Sequence, residues 1–416
     1  MTTIPESIHP TPSRFACRLP KLGMLLLSVM NLSAGCVGLR QYNREPNEYL
    51  RTVRSPDSKA EADLCIVEFD DEGEFWDHRQ LAAALSLIQK RNAESPRGIV
   101  VPIYIHGWKN NADWSREDGD LRIIAADLAL SASKLASSSQ PHPQRVVGIY
   151  IGWRGDTVNG GWLKQLTFWN RLMAADRVAS INLKESLVKI MLTAKQKPNS
   201  KVIMYGHSMG GRILFNAMST SLVNMSINPN SDSQVLPVDL VLMANPAVRA
   251  VDVARFVDLL KRYRVALMVK GPDGSDVPAH GPLIASITSE ADTATSRAFP
   301  FGQSLVRPFR AYREDSPPGR PSQGYLAAHT DGHTDLLLSH RATLVDGKVE
   351  LTPVPDRYND TPYWVIRVPK EICRNHGDIA NPRMNELVEM LLHMRDAYTS
   401  TNWPRLKTDP FPDPPP

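Results

Sequence analysis

The chain has 416 residues, of which 42% are hydrophobic and 22% charged, a make-up able to bury a large core in one large or two medium domains. Formal net charge is +4, and the first 35 residues carry +2 of it through Arg14, Arg18 and Lys21 against Glu6. The nearly neutral remainder argues against nucleic acid as a main partner, because phosphate binding needs a basic stripe. Four cysteines occur, Cys17, Cys36, Cys65 and Cys373, and none forms the CxxC pair of a thiolate zinc site. Cys65 and Cys373 lie beyond the leader, either as a disulfide in an oxidising compartment or as two buried thiols.

Residues 1–35 read as a targeting segment. Arg18 and Lys21 precede an apolar run from Leu22, which gives way to Ser33, Ala34 and Gly35 and then to Cys36. A basic region, a short apolar core and a small-residue exit describe a secretory signal peptide. The stretch ending on Cys36 resembles a bacterial lipobox, although Ser33 stands where leucine is usual. That resemblance implies lipidation of Cys36, which would tether the domain to a membrane face in the cell envelope. An uncleaved anchor over the 18 residues 22–39 and a plain secretory leader are the alternatives.

A polar linker over 36–59 is expected next. Strand and helix patterns then alternate. Apolar, β-rich runs predict strands at 64–69, 98–105, 145–151, 201–205, 238–243, 283–287 and 363–368. Helical spacing of apolar residues predicts helices at 76–91, 121–135, within 163–196, at 211–222 and at 248–264. A last helix opens with Asn381 as its cap and Pro382 in its first turn, and carries Met384, Leu387, Val388, Leu391 and Leu392 as one stripe. Continuous apolar strands separated by helices mean an α/β fold, a doubly wound, mostly parallel sheet covered on both faces. One domain over 60–402 is expected, with a polar insertion at 293–361 placed to act as a cap. Within it, 342–351 reads as a hairpin around Asp346-Gly347. The Pro-rich tail 403–416 is expected to be disordered.

The strongest chemical signal is Gly206-His-Ser208-Met-Gly210, between a predicted strand and a predicted helix. A serine on so tight a strand-to-helix turn projects above the sheet edge, which is what a nucleophile elbow requires. The helix that follows favours developing negative charge at its N-terminus. An earlier strand ends in His106-Gly107-Trp108. Acyl transfer needs two amide donors for the oxyanion, and the spacing offers Met209 after the nucleophile and Trp108 after the earlier strand.

With these motifs, and with Asn375-His376-Gly-Asp-Ile379, the chain resembles the α/β-hydrolase superfamily, in particular its serine esterase and lipase branch, over roughly 64–398. The resemblance implies a triad in the order Ser, Asp or Glu, His. The acid belongs after the 283–287 strand, where Asp292 is the first choice and Glu290 the alternative. The histidine belongs between the last strand and the last helix, where His376 lies.

One cluster competes. His329-Thr-Asp-Gly-His333-Thr-Asp335 holds two histidines and two aspartates that suggest either a metal site or another base; no metal or other cofactor is assigned. Trp108, Trp114 and Trp153-Arg154-Gly155 follow predicted strands and read either as walls of an acyl pocket or as packing. The expected activity is hydrolysis of a small-molecule or lipid carboxylic ester. An amidase or thioesterase using the same residues, and an inactive envelope binding protein, are the rival readings.

Overall fold

A computed structural model describes residues 35–36, 40–138, 142–159, 167–227, 237–263, 266–270, 275–278, 281–306, 311, 320–355, 361–396 and 405–407. Its centre is a ten-stranded sheet. In chain order the strands are β1 (Leu50–Arg54), β2 (Glu61–Glu68), β3 (Ile99–Ile105), β4 (Arg145–Gly152), β5 (Lys201–His207), β6 (Leu240–Ala244), β7 (Ile284–Ser289), β8 (His340–Val345), β9 (Lys348–Pro353) and β10 (Tyr363–Val368). Across the sheet they run β9-β8-β10-β7-β6-β5-β3-β4-β2-β1. The interior pairs are parallel, and only the edge strands β1 and β9 pair antiparallel.

The helices that cover the sheet are α1 (His78–Glu94), α2 (Asp120–Ser137), α3 (Phe168–Val178), α4 (Ile181–Lys195), α5 (Met209–Ile227), α6 (Ala250–Arg262) and α9 (Pro382–Asp396); α7 (Phe299–Val306) and α8 (Gln323–Ala328) lie in the late segment. Side-chain alternation along the strands splits the core in two. Cys65, Val67, Val147 and Val202 face α1 and α3 to α6, whereas Leu64, Ile66, Tyr104 and Leu242 face α2 and α9. Burial on both faces favours apolar residues at successive positions, which is why the centre of β2 (64–67), most of β4 and all of β6 read as hydrophobic runs.

Chain direction reverses across β3 and β5. From β3 the chain moves outward to β4, and from β5 it moves the other way to β6. The loops leaving the carboxyl ends of β3 and β5 therefore diverge, and a crevice opens between them. This is where Gly107 and Ser208 meet.

The structure differs from the sequence reading in three places. The linker expected over 36–59 contains the helical turn Pro46–Tyr49 and the edge strand β1. A half-buried, charged edge strand lacks the apolar run that marks an interior one. The 342–351 hairpin forms, with Asp346 and Gly347 both at positive φ (49° and 74°), but it extends the sheet as β8 and β9 and does not sit as a cap. In the tail, Arg405–Lys407 pairs antiparallel with Ala266–Lys270, a backbone pairing that composition does not encode. Cys65 and Cys373 are separate, buried free thiols. Residues 1–34 of the leader expected over 1–35 lie outside the described residues; Gly35–Cys36 pairs antiparallel with Val158–Asn159. Among the described residues no helix is long and apolar enough to cross a membrane.

Asn381 caps α9 as its sequence implies, its Oδ1 accepting from the amides of Arg383 (2.9 Å) and Met384 (3.1 Å). Asn381→Ala is expected to cost about 1 kcal/mol. A lower urea midpoint at an unchanged m-value would show it, and an unmoved midpoint would contradict the capping role.

Candidate active site

Ser208 sits at the sharp bend between β5 and α5 with φ 55°, in the left-handed region that a side chain rarely adopts. The bend closes because its neighbours lack side chains. A Cβ on Gly206 would lie 2.7 Å from the Gly210 carbonyl oxygen, and one on Gly210 would lie 2.0 Å from that of Ile105. The Ser208 amide donates to Ala244 O (3.0 Å) and its carbonyl accepts from Ala247 N (3.0 Å), which ties the turn to the end of β6.

The structure brings three of the sequence-selected side chains into one hydrogen-bonded row. His376 Nε2 lies 2.8 Å from Ser208 Oγ, and His376 Nδ1 lies 2.9 Å from Asp292 Oδ2. Asp292 follows β7 and is fully buried, while His376 follows β10 and keeps 28% of its side chain exposed. Burial raises the Asp292 carboxyl, but His376 and Thr295 outweigh it and hold the group below the usual carboxylate range. An ionised Asp292 only accepts, so Nδ1 carries the proton of the neutral ring and Nε2 presents its lone pair to the serine hydroxyl. Burial likewise lowers His376; Asp292 pulls it up, His207 and Lys109 push it down, and the net result is below the ordinary histidine value.

Glu290, the alternative acid, turns away. Its side chain is 50% exposed and pairs with Arg341 (3.2 Å). Two residues further on, the chain turns inward, and Asp292 is enclosed by the Ala294 and Thr295 amides (2.8 and 3.2 Å) and the Thr295 hydroxyl.

Gly107 passes directly over the serine, so that a Cβ there would lie 2.9 Å from Ser208 Cβ. His106 behind it is fully buried, and burial lowers it to about 4, which keeps it neutral. Its Nε2 accepts from the Trp153 amide (3.0 Å), so its Nδ1 donates to Gly107 O (2.9 Å) and orients that peptide. Met209 opens α5, and its side chain is wholly buried. Trp108 follows Gly107; its indole donates to Thr167 Oγ1 (3.4 Å) and its ring meets Phe168 edge-on at 5.2 Å. Trp153 stacks on His106, and Trp114 is held between Arg51 and Arg122, so both are packing residues.

The side chains of the 329–335 cluster disperse. His329 Nδ1 bonds Tyr325 O, Asp331 accepts from Tyr363 OH, His333 reaches Thr295 Oγ1, and Asp335 pairs with Arg367. Among the described residues no group of three or more His, Cys, Asp or Glu side chains is placed to hold a metal. His333 nevertheless belongs to the site indirectly. Its Nε2–H donates to the Thr295 hydroxyl (2.9 Å), which in turn donates to Asp292.

Thr295 and Asn245 were not singled out by the sequence. Asn245 Nδ2 donates to His376 O (3.0 Å), and its Oδ1 accepts from Ser289 N (2.9 Å), so one amide side chain joins the histidine loop to the strand that leads into Asp292. An Asn-Pro pair directly after a buried strand was the available signal. A cavity of about 420 Å³ lies elsewhere, between α2 and α9, and none of Ser208, His376 or Asp292 lines it.

No family model matches the chain, and no curated protein matches it.

Titration of His376 tests the electrostatics. Its ring is expected to titrate below about 6.5 by NMR, and Asp292→Asn is expected to lower it further, because the carboxylate is an upward influence. A midpoint above 6.5, or an upward move in the variant, would show that the charges act otherwise.

Proposed function

We propose that this protein is a serine hydrolase of the α/β-hydrolase type that cleaves carboxylic esters, of a small molecule or a lipid. The observation that carries the reading is the row Asp292–His376–Ser208, with contacts of 2.9 and 2.8 Å, mounted on a strained bend at the carboxyl edge of a parallel sheet. Shared geometry of this kind, rather than chain order, is what identifies a nucleophile, base and orienting acid.

In the proposed cycle Ser208 Oγ attacks the acyl carbonyl carbon while His376 Nε2 takes its proton. The carbonyl oxygen becomes an oxyanion, which the amides of Met209 and Trp108 are positioned in sequence to receive. The tetrahedral centre collapses and the C–O bond to the alcohol breaks. His376 returns its proton to that leaving oxygen, which leaves an acyl ester on Ser208. Water then attacks the acyl carbon, gives a proton to His376, and releases the acid as the proton passes back to Ser208 Oγ. Asp292 stabilises the imidazolium that forms twice in the cycle. Each step draws only on this chain's own side chains and amides.

Ser208→Ala is expected to lower kcat on short acyl esters by roughly 10⁴-fold or more and to abolish covalent labelling by a fluorophosphonate. Undiminished turnover in this variant would remove the mechanism. Absence of both turnover and labelling in the wild type would favour a binding protein, and preference for thioesters or amides over esters would move the substrate class.

For location, we propose tethering in the cell envelope through lipid on Cys36, supported by the basic, apolar and small-residue order before it. Globomycin treatment of the producing cells is expected to make an unprocessed precursor accumulate. Normal processing in its presence would exclude lipoprotein maturation.

A further inference from the structure

The catalytic row proposed above has a second acid–histidine pair directly behind it. His207, next to the nucleophile in sequence, also reaches the His376 loop. Its Nε2 lies 2.9 Å from the carbonyl oxygen of His376, and its ring centroid is 5.0 Å from that of His376. A carbonyl oxygen only accepts, so Nε2 of His207 carries a hydrogen and donates it. On the other edge of the ring, Nδ1 is buried without a hydrogen-bond partner and lies 3.7 Å from Asp120 Oδ2. Asp120 is the first residue of α2, and its carboxylate is held by the Tyr104 hydroxyl at 2.7 Å. Tyr104 is fixed in turn between the rings of Tyr150 and Tyr205, each 5.8 Å away. Burial raises the Asp120 carboxyl, but His207 and Tyr104 outweigh it and keep it below the ordinary carboxylate value.

We propose that His207 is a positioning residue that holds the backbone of the His376 loop so that the His376 ring stays in line with Ser208. Elsewhere the loop is held by Ser289 Oγ on Cys373 O, by the Arg374–Asp378 pair and by the Tyr205 hydroxyl on Ile379 O, but none of these bonds is made to the His376 carbonyl. The 371–380 segment has no regular secondary structure, and the His376 ring itself is partly open to solvent. Its carbonyl accepts from two side chains, His207 and Asn245, which approach from the ends of adjacent strands β5 and β6. Two donors on one oxygen fix the peptide plane where a single donor allows it to rotate. A small rotation of that peptide swings the imidazole out of the 2.8 Å contact, and displacements of about 1 Å at a reacting group are costly to rate. Substrate binding does not pass through this contact. A positioning role therefore lowers kcat and leaves KM nearly unchanged.

The inference rests on reading Ser208 and His376 as nucleophile and base, and the test keeps the two apart. His207→Leu removes the donor and keeps an apolar filling; His207→Gln keeps an N–H donor at nearly the same reach. In the full-length protein, His207→Leu is expected to lower kcat on a short acyl ester by about tenfold or more with KM within twofold. His207→Gln is expected to recover most of the loss. In parallel, ¹⁵N spectra of the His376 ring are expected to show one sharp environment in the wild type and in His207→Gln, and broadened or doubled signals in His207→Leu. The ring spectra decide the proposal even where no ester is turned over, an outcome that would count against the hydrolase reading instead. Unchanged His376 signals in a folded His207→Leu protein would overturn it, as would equal impairment by leucine and glutamine.

Discussion

The site depends on one tight bend. Ser208 holds a left-handed backbone conformation between a buried strand and a buried helix, and that conformation persists only because both flanking elements are fixed by packing. The cost is local and is offset across the sheet: β5 lies between β3 and β6, bonded in parallel to each along most of its length. A hydroxyl held in this way needs no loop movement to meet its partner. The absence of side chains at Gly107, Gly206 and Gly210 lets three backbone segments converge within a few ångströms of it.

The partners arrive on separate strands. The loops after β3, β5, β7 and β10 supply Gly107, Ser208, Asp292 and His376, and all four leave the same edge because the strands between them are parallel. Parallel pairing thus converts residues more than 80 positions apart into neighbours. The loop after β6 has a bracing role. Asn245, itself at positive φ (45°), bonds the His376 carbonyl on one side and the Ser289 amide on the other, which ties the His376 loop to the end of β7 that leads into Asp292.

Charge is managed by enclosure. Asp292 is fully buried yet satisfied by two amides, a hydroxyl and the imidazole, so its negative charge is balanced by donors rather than by water. His333 extends that support by fixing the Thr295 hydroxyl. Burial lowers His333 to about 4, so it acts as a neutral donor and brings no competing positive charge toward the acid.

Much of this was legible in the residues alone. Apolar runs marked the interior strands, because burial on both faces favours apolar residues at successive positions, and tight glycine spacing marked the bend at Ser208 because a side chain at either flank would clash. Asn381 and Pro382 marked the start of α9, since capping is a local interaction. Sequence ranked Asp292 ahead of Glu290 as the expected acid, but that Asp292 turns inward to His376 while Glu290 faces Arg341 depends on which way the chain turns after β7. Nor could it find the edge strand β1, the pairing of 405–407 with 266–270, or the roles of Thr295 and Asn245. Local sequence determines which conformations a segment prefers. Which polar groups share a buried volume is settled only when distant strands pair, because hydrogen bonds between them depend on distances that exist only in the folded chain.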